Sequence, residues 1–127
     1  MNENYENSLA LYELKHDILY VRFKKDLIIN YEIALTLVAD RLRLQSFTKY
    51  KAICDVSEIR TIDSEARRYL SIYGSSLLTQ VALVSTYVPL YHMSRFYIHI
   101  NKPKVPTVVF MSIKEAENYL SLNPSKL

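Results

Sequence analysis

Ile53-Cys54-Asp55-Val56-Ser57, then Glu58-Ile59-Arg60-Thr61, then Ile62-Asp63-Ser64-Glu65-Ala66-Arg67-Arg68 is the stretch that decides the fold. The run from Ala52 to Val56 is short and apolar on both alternations, which suits a central strand buried on both sides. A polar loop follows from Ser57 to Thr61, and Asp63 stands where a helix N-cap belongs. The helix runs on through Tyr69 and Leu70 towards Gly74, placed as its C′ stop. Strand, loop and capped helix form one strand-helix unit.

Working outward, the same unit recurs. Upstream, Leu9–Leu14 and Ile18–Phe23 are β-rich runs separated by Lys15-His16-Asp17, an opening hairpin. Leu19, Val21 and Phe23 share one face and Tyr20 and Arg22 the other, the pattern of a half-covered antiparallel edge. Asn30 is a good N-cap for a helix from about Tyr31 to Leu44, with Glu32 in its first turn and Ala34, Leu35, Leu37, Val38 and Leu42 at helical spacing. Downstream, Val81–Val84 reads as a second buried strand. Pro89 suits the first turn of a helix ending near Asn101, whose apolar stripe is Leu90, Met93, Tyr97 and Ile100. Pro103 and Pro106 hold an extended connection to Thr107–Phe110, and Ser112 with Glu115 makes a capping box for a closing helix.

The order is β-β-α-β-α-β-α-β-α. Repeated strand-helix-strand units demand right-handed crossovers, so the fold class is α/β: a mixed, mostly parallel sheet flanked by helices. The 127 residues fit one domain spanning 1–127, with 1–7 expected as a flexible tail and 123–127 as a frayed end. Ligands on such sheets meet the carboxyl ends of the strands, which singles out 57–64, 85–89 and 111–112.

Composition narrows the function. The single glycine, Gly74, excludes the glycine-rich phosphate loops and the nucleophile elbow, which need several residues free to take positive φ. One cysteine, Cys54, makes neither an internal disulfide nor a thiolate zinc site, and reads as a small buried hydrophobe. The start lacks a basic, then apolar, leader and no run reaches the ~18 apolar residues of a membrane span, so a cytoplasmic location without stable membrane insertion is expected. A net charge of +3 is too small to announce nucleic-acid binding.

Charge position matters more than the total. Residues 1–65 carry nine basic and eleven acidic side chains, whereas Ala66–Lys114 carries six basic side chains and no acidic one. Such a segment is either mostly core or a positive surface for a phosphate, an acidic partner or an anionic head group. Within it His92, Arg95 and His99 share one helix face, a candidate anion-contacting surface that equally suits a solvated face. Eleven tyrosines without a tryptophan suit half-buried packing, a self-association surface or the rim of an amphiphile cleft. Asp55 and Asp63 are explained by loop and helix capping. The residues therefore assign no catalytic group, no metal ligand and no cofactor, and a non-enzymatic role is expected.

The element order, with Asp55-Val56-Ser57 closing a strand and Asp63-Ser64 opening a helix, resembles the STAS domain of bacterial anti-sigma-factor antagonists. Asp17–Phe23, Glu65-Ala66-Arg67, Asn101-Lys102-Pro103 with Pro106-Thr107, and Phe110 bring the chain closer to small uncharacterised bacterial proteins with a STAS-like fold. The resemblance implies a protein partner docking through the 57–69 loop and helix, at Ser57, Asp63, Ser64, Glu65, Arg67 and Arg68, the partner being an anti-sigma-type kinase in the antagonists. Glu65 stands at the antagonists' usual phospho-acceptor serine and Ala66 at their glycine, which leaves Ser64 as the candidate phospho-acceptor. Docking requires the backbone between Val56 and Ala66 to lie exposed at the sheet rim. The resemblance to the related CRAL-TRIO domain implies an alternative, a binder or carrier of a small anionic or lipid-like ligand, for which a deep apolar cavity near Tyr87–Tyr97 is the mark. A homodimer fits either reading.

Overall fold

In a computed structural model, residues 3–122 are described. The alternating burial of Ala10–Lys15 and the continuous burial of Val81 and Ala82 give strands of two kinds, one half-covered and one covered on both faces. They assemble, in chain order, as β1 (Glu3–Glu6), β2 (Ala10–Lys15), β3 (Ile18–Phe23), β4 (Leu27–Ile29), α1 (Tyr31–Gln45), β5 (Tyr50–Asp55), β6 (Ile59–Ile62), α2 (Ser64–Tyr73), β7 (Leu78–Val84), α3 (Val88–Asn101), β8 (Thr107–Phe110) and α4 (Ile113–Leu122). The main sheet has six strands in the order β1-β2-β3-β5-β7-β8. Its first two pairings are antiparallel and the other three parallel.

The α/β class and the mostly parallel sheet are as the sequence predicts. From β3 onward each crossover steps the same way across the sheet, so right-handedness puts α1, α2 and α3 on one face. Ala34, Leu37, Ala66 and Leu90 from these helices close a core over Tyr12, Leu19, Val21, Ala52 and Val81. Only α4 covers the other face, through Ala116 and Leu120 against Ile53, Ala82 and Val84.

Five expectations are corrected. The start is not a free tail from residue 3: Glu3–Glu6 pairs with β2 as an exposed edge strand, and Asn7 Oδ1 accepts from Leu9 and Ala10 N–H at 2.7 and 2.9 Å. The expected frayed end, 123–127, lies outside the described residues, as do residues 1–2. β3 is an interior strand, because β1 and β2 lie outside it. The 57–61 loop is interrupted by β6, which pairs in parallel with β4 as a separate two-stranded sheet. Strands of three and four residues are too short for alternation to reveal them, and Ile29 and Ile59 are the buried anchors. Gly74 ends α2 at a helical φ of −64°, not in the left-handed region; a Cβ there would sit 2.4 Å from Leu70 O, so the glycine answers a close approach. Ile100 leaves the buried stripe of α3 and is 55% exposed.

The caps behave as read. Asn30 Oδ1 accepts from Ile33 N–H at 2.9 Å, Asp63 Oδ1 from Ala66 N–H at 2.8 Å, and Ser112 Oγ from Glu115 N–H at 3.1 Å. The β2–β3 turn is less comfortable. Its two central residues, His16 and Asp17, have φ of 54° and 63°, the left-handed pair a two-residue hairpin needs and Asn-Gly supplies at least cost. The double change His16→Asn, Asp17→Gly is expected to stabilise the protein by about 1 kcal/mol in urea unfolding; no gain would mean the native turn holds compensating contacts.

Candidate functional site

Three helices over one sheet face leave a gap where small side chains meet. Cys54 on β5, Val81 on β7, Gly74 and Ser75 at the end of α2, and Ser94 on α3 surround a cavity of about 130 Å³. Most of the remaining wall is apolar, with Leu83 from the sheet and Leu90, Met93 and Tyr97 from α3. The cavity is partly open to solvent, as a cleft with a mostly apolar wall.

Two guanidinium groups reach the wall. Arg41 on α1 is 5% exposed and sits one turn beyond Leu37 on the buried stripe. Its Nη1 donates to Gln45 Oε1 and, at 2.8 Å, to Ser76 O, and its Nη2 donates to Gly74 O at 2.8 Å. The cation thus caps the C-terminal turn of α2, where the carbonyls and the helix dipole favour it. Burial pulls its pKa down. Arg67 in the first turn of α2 donates from Nη1 to Ile62 O at 2.6 Å and lies 5.6 Å over the Phe96 ring. Its Nε is buried with no hydrogen-bond partner. Among the described residues the two ion pairs are Lys24 with Glu6 and Arg43 with Asp40, so neither cavity arginine faces a carboxylate.

The low polarity of this interior is legible in the neighbouring acids. Burial, with the nearby Asp40 carboxylate, raises the Tyr12 phenol, and burial raises that of Tyr97. Burial pushes the Cys54 thiol from 9.0 up to about 11, against the pull of Arg41. A folded-state pKa above the unfolded one means this contribution to stability is complete below pH 9 and is lost as pH rises towards about 11. The stability difference between the native chain and Cys54→Val should therefore be flat near neutrality and shift against the native chain by up to about 2 kcal/mol across that window. A difference independent of pH would show the thiol in contact with bulk water.

The residues singled out by sequence divide. Ser57 is half-buried: its N–H donates to Asp55 Oδ1 at 3.0 Å and its Oγ accepts from Thr86 N–H at 3.0 Å. Asp63, Ser64, Glu65 and Arg68 are exposed at the start of α2, while Arg67 turns to the cavity. Several amides of the corner are already bonded, Ile59 N–H to Val56 O and Asp63 N–H to Ile29 O, so an approaching molecule would meet side chains. His92, Arg95 and His99 lie exposed along α3. Among the described residues no three His, Cys, Asp or Glu side chains converge as metal ligands would. Arg41, Ser94 and the wall role of Cys54 were missed. Arg41 was findable, since the 3–4 spacing from Ala34 through Leu37 and Val38 to Arg41 and Gln45 marks one buried stripe.

A family profile described as a domain of unknown function, DUF7793, matches residues 12–122, which takes in the cavity, both arginines and the α2 start. The chain belongs to the DUF7793 family. No curated protein matches it. Among solved structures, the crystal structure of an uncharacterised protein of the DUF3478 family with a SpoIIAA-like fold, from Shewanella loihica PV-4, is similar over 94% of this chain and 92% of that one, with 14% identity and a TM-score of 0.54. At that identity the likeness carries the fold, which is SpoIIAA-like and so STAS-like, as the Asp55–Ser64 motif predicts. In this DUF7793 chain no helix of the described residues is long and apolar enough to cross a membrane.

Proposed function

We propose that this DUF7793 chain binds and carries a small anionic amphiphile, its apolar body in the cavity and its charged head at Arg67. The observation that carries the reading is the pairing of an apolar cavity with an arginine on its wall that has no carboxylate partner among the described residues. A hydrogen bond between that guanidinium and an incoming carboxylate is worth about 1.5–3 kcal/mol. The cavity of about 130 Å³ bounds the buried part of the ligand to a ring or a short chain, since ~150 Å³ holds a benzene. Calorimetric titration with octanoate, octanol and octylamine is the test. Octanoate should bind tightest, by roughly tenfold over octanol, and Arg67→Leu should erase that preference while leaving octanol binding intact. Equal affinity for all three in the native chain would refute the head-group assignment.

A second reading keeps the exposed run Asp63-Ser64-Glu65 with Arg68 as a docking surface for a protein partner, on the pattern of the anti-sigma-factor antagonists, with Ser64 as phospho-acceptor. Its support is the exposure of these side chains at the N-terminus of α2, where a phosphate is favoured. Affinity capture from the native cell with Ser64→Ala and Arg68→Ala tests it: loss of one interactor in both supports docking, and unchanged capture discards it.

A further inference from the structure

Helix α3 has two unlike faces. Leu90, Met93, Ser94 and Tyr97 point to the cavity. The exposed side should be polar on a helix that meets only water. Instead Val88 is 52% exposed, Phe96 48% and Ile100 55%, spaced along the helix with exposed His92, Arg95 and His99. Tyr87, at the helix start, is 55% exposed. Single exposed apolar residues need no explanation, but a row of them along one helix does. The charge is one-signed: nothing from Ala66 to Lys114 is acidic, and Lys102 and Lys104 follow the helix directly, both exposed.

Apolar side chains interleaved with basic ones, with an aromatic hydroxyl at the edge, are what an interfacial helix presents to a membrane. From Tyr87 to Lys104 there is no carboxylate, while Arg95, Lys102 and Lys104 are exposed, the charge that an anionic lipid surface attracts. We propose that the outer face of α3 seats the protein on an anionic lipid surface, Val88, Phe96 and Ile100 entering the head-group boundary and Arg95 and Lys102 meeting lipid phosphates. The inference needs no ligand in the cavity; the two sites touch where Phe96 stacks on Arg67.

Co-sedimentation with vesicles of phosphatidylcholine alone, and of phosphatidylcholine with an equal part of phosphatidylglycerol, tests it on the full chain. Binding should be at least about tenfold stronger to the anionic vesicles and should fall steeply with added salt. Arg95→Glu and Ile100→Glu, both at exposed positions, should each weaken it by roughly tenfold while circular dichroism and unfolding midpoint stay unchanged. Equal binding to both vesicle types, or anionic binding untouched by both substitutions, would overturn the proposal. So would a homodimer in sedimentation velocity that these substitutions dissociate, with no vesicle binding by the native chain, because the face would then belong to a second copy.

Discussion

Arg41→Met should cost the protein about 3–5 kcal/mol, the largest loss expected from a single exchange at the cavity wall. The guanidinium is the hydrogen-bond partner of Gly74 O and Ser76 O beyond the end of α2 and of Gln45 Oε1 on α1. Methionine fills the space but donates nothing, so these acceptors are left facing an apolar interior. Lysine should recover less than half, since one ammonium on a flexible stem cannot reproduce a planar fork reaching two carbonyls and an amide. Against a total stability of roughly 5–15 kcal/mol the loss is a large share, and urea unfolding should show a lower midpoint with an unchanged slope. A loss under about 1 kcal/mol would mean that water replaces the guanidinium and that the interior is wetter than its wall implies.

The second large effect concerns the void. An enclosed cavity costs about 24 cal/mol per Å³, so filling this partly open one of about 130 Å³ gains less than about 3 kcal/mol. A ligand that fills it and binds only the folded chain stabilises by mass action, about 2.7 kcal/mol at a hundred times Kd, which for a chain of this size raises Tm by roughly 10 °C. Ser94→Phe sends a ring into the same space from α3. It should stabilise the ligand-free protein by about 1 kcal/mol after the cost of imperfect fit, raising Tm by roughly 4 °C, and abolish the octanoate-induced shift. A variant that gains no stability yet still responds fully to octanoate would place the ligand elsewhere.

What the sequence revealed follows from how far each signal extends along the chain. The six-residue runs of β2 and β3 and the fourteen residues of α3 carry enough periods to be read directly. The motif from Asp55 to Ser64 placed the second crossover, from β5 through α2 to β7, and with it the fold. β4 and β6 escaped because three or four residues hold fewer than two alternations. β1 escaped because all four of its residues are exposed, so it bears no apolar mark. The candidate site was legible only in part: Arg67 was singled out for a solvent-facing role, yet its side chain lies along the cavity wall, since α2 leans on α3 through Phe96. A cavity itself has no sequence signature, because it is the mismatch of side chains from β5, β7, α2 and α3 that are far apart along the chain.

In the proposed carrier the space between sheet and α3 would hold the ligand's body and Arg67 its head. Isotope-filtered nuclear Overhauser spectra of octanoate bound to labelled protein address it most directly. Contacts are expected from the methyl end to Leu83, Met93 and Tyr97, with the Arg67 guanidinium protons shifted downfield by the carboxylate. Contacts confined to exposed residues such as Val88 and Ile100, with the Arg67 signal unmoved, would contradict it.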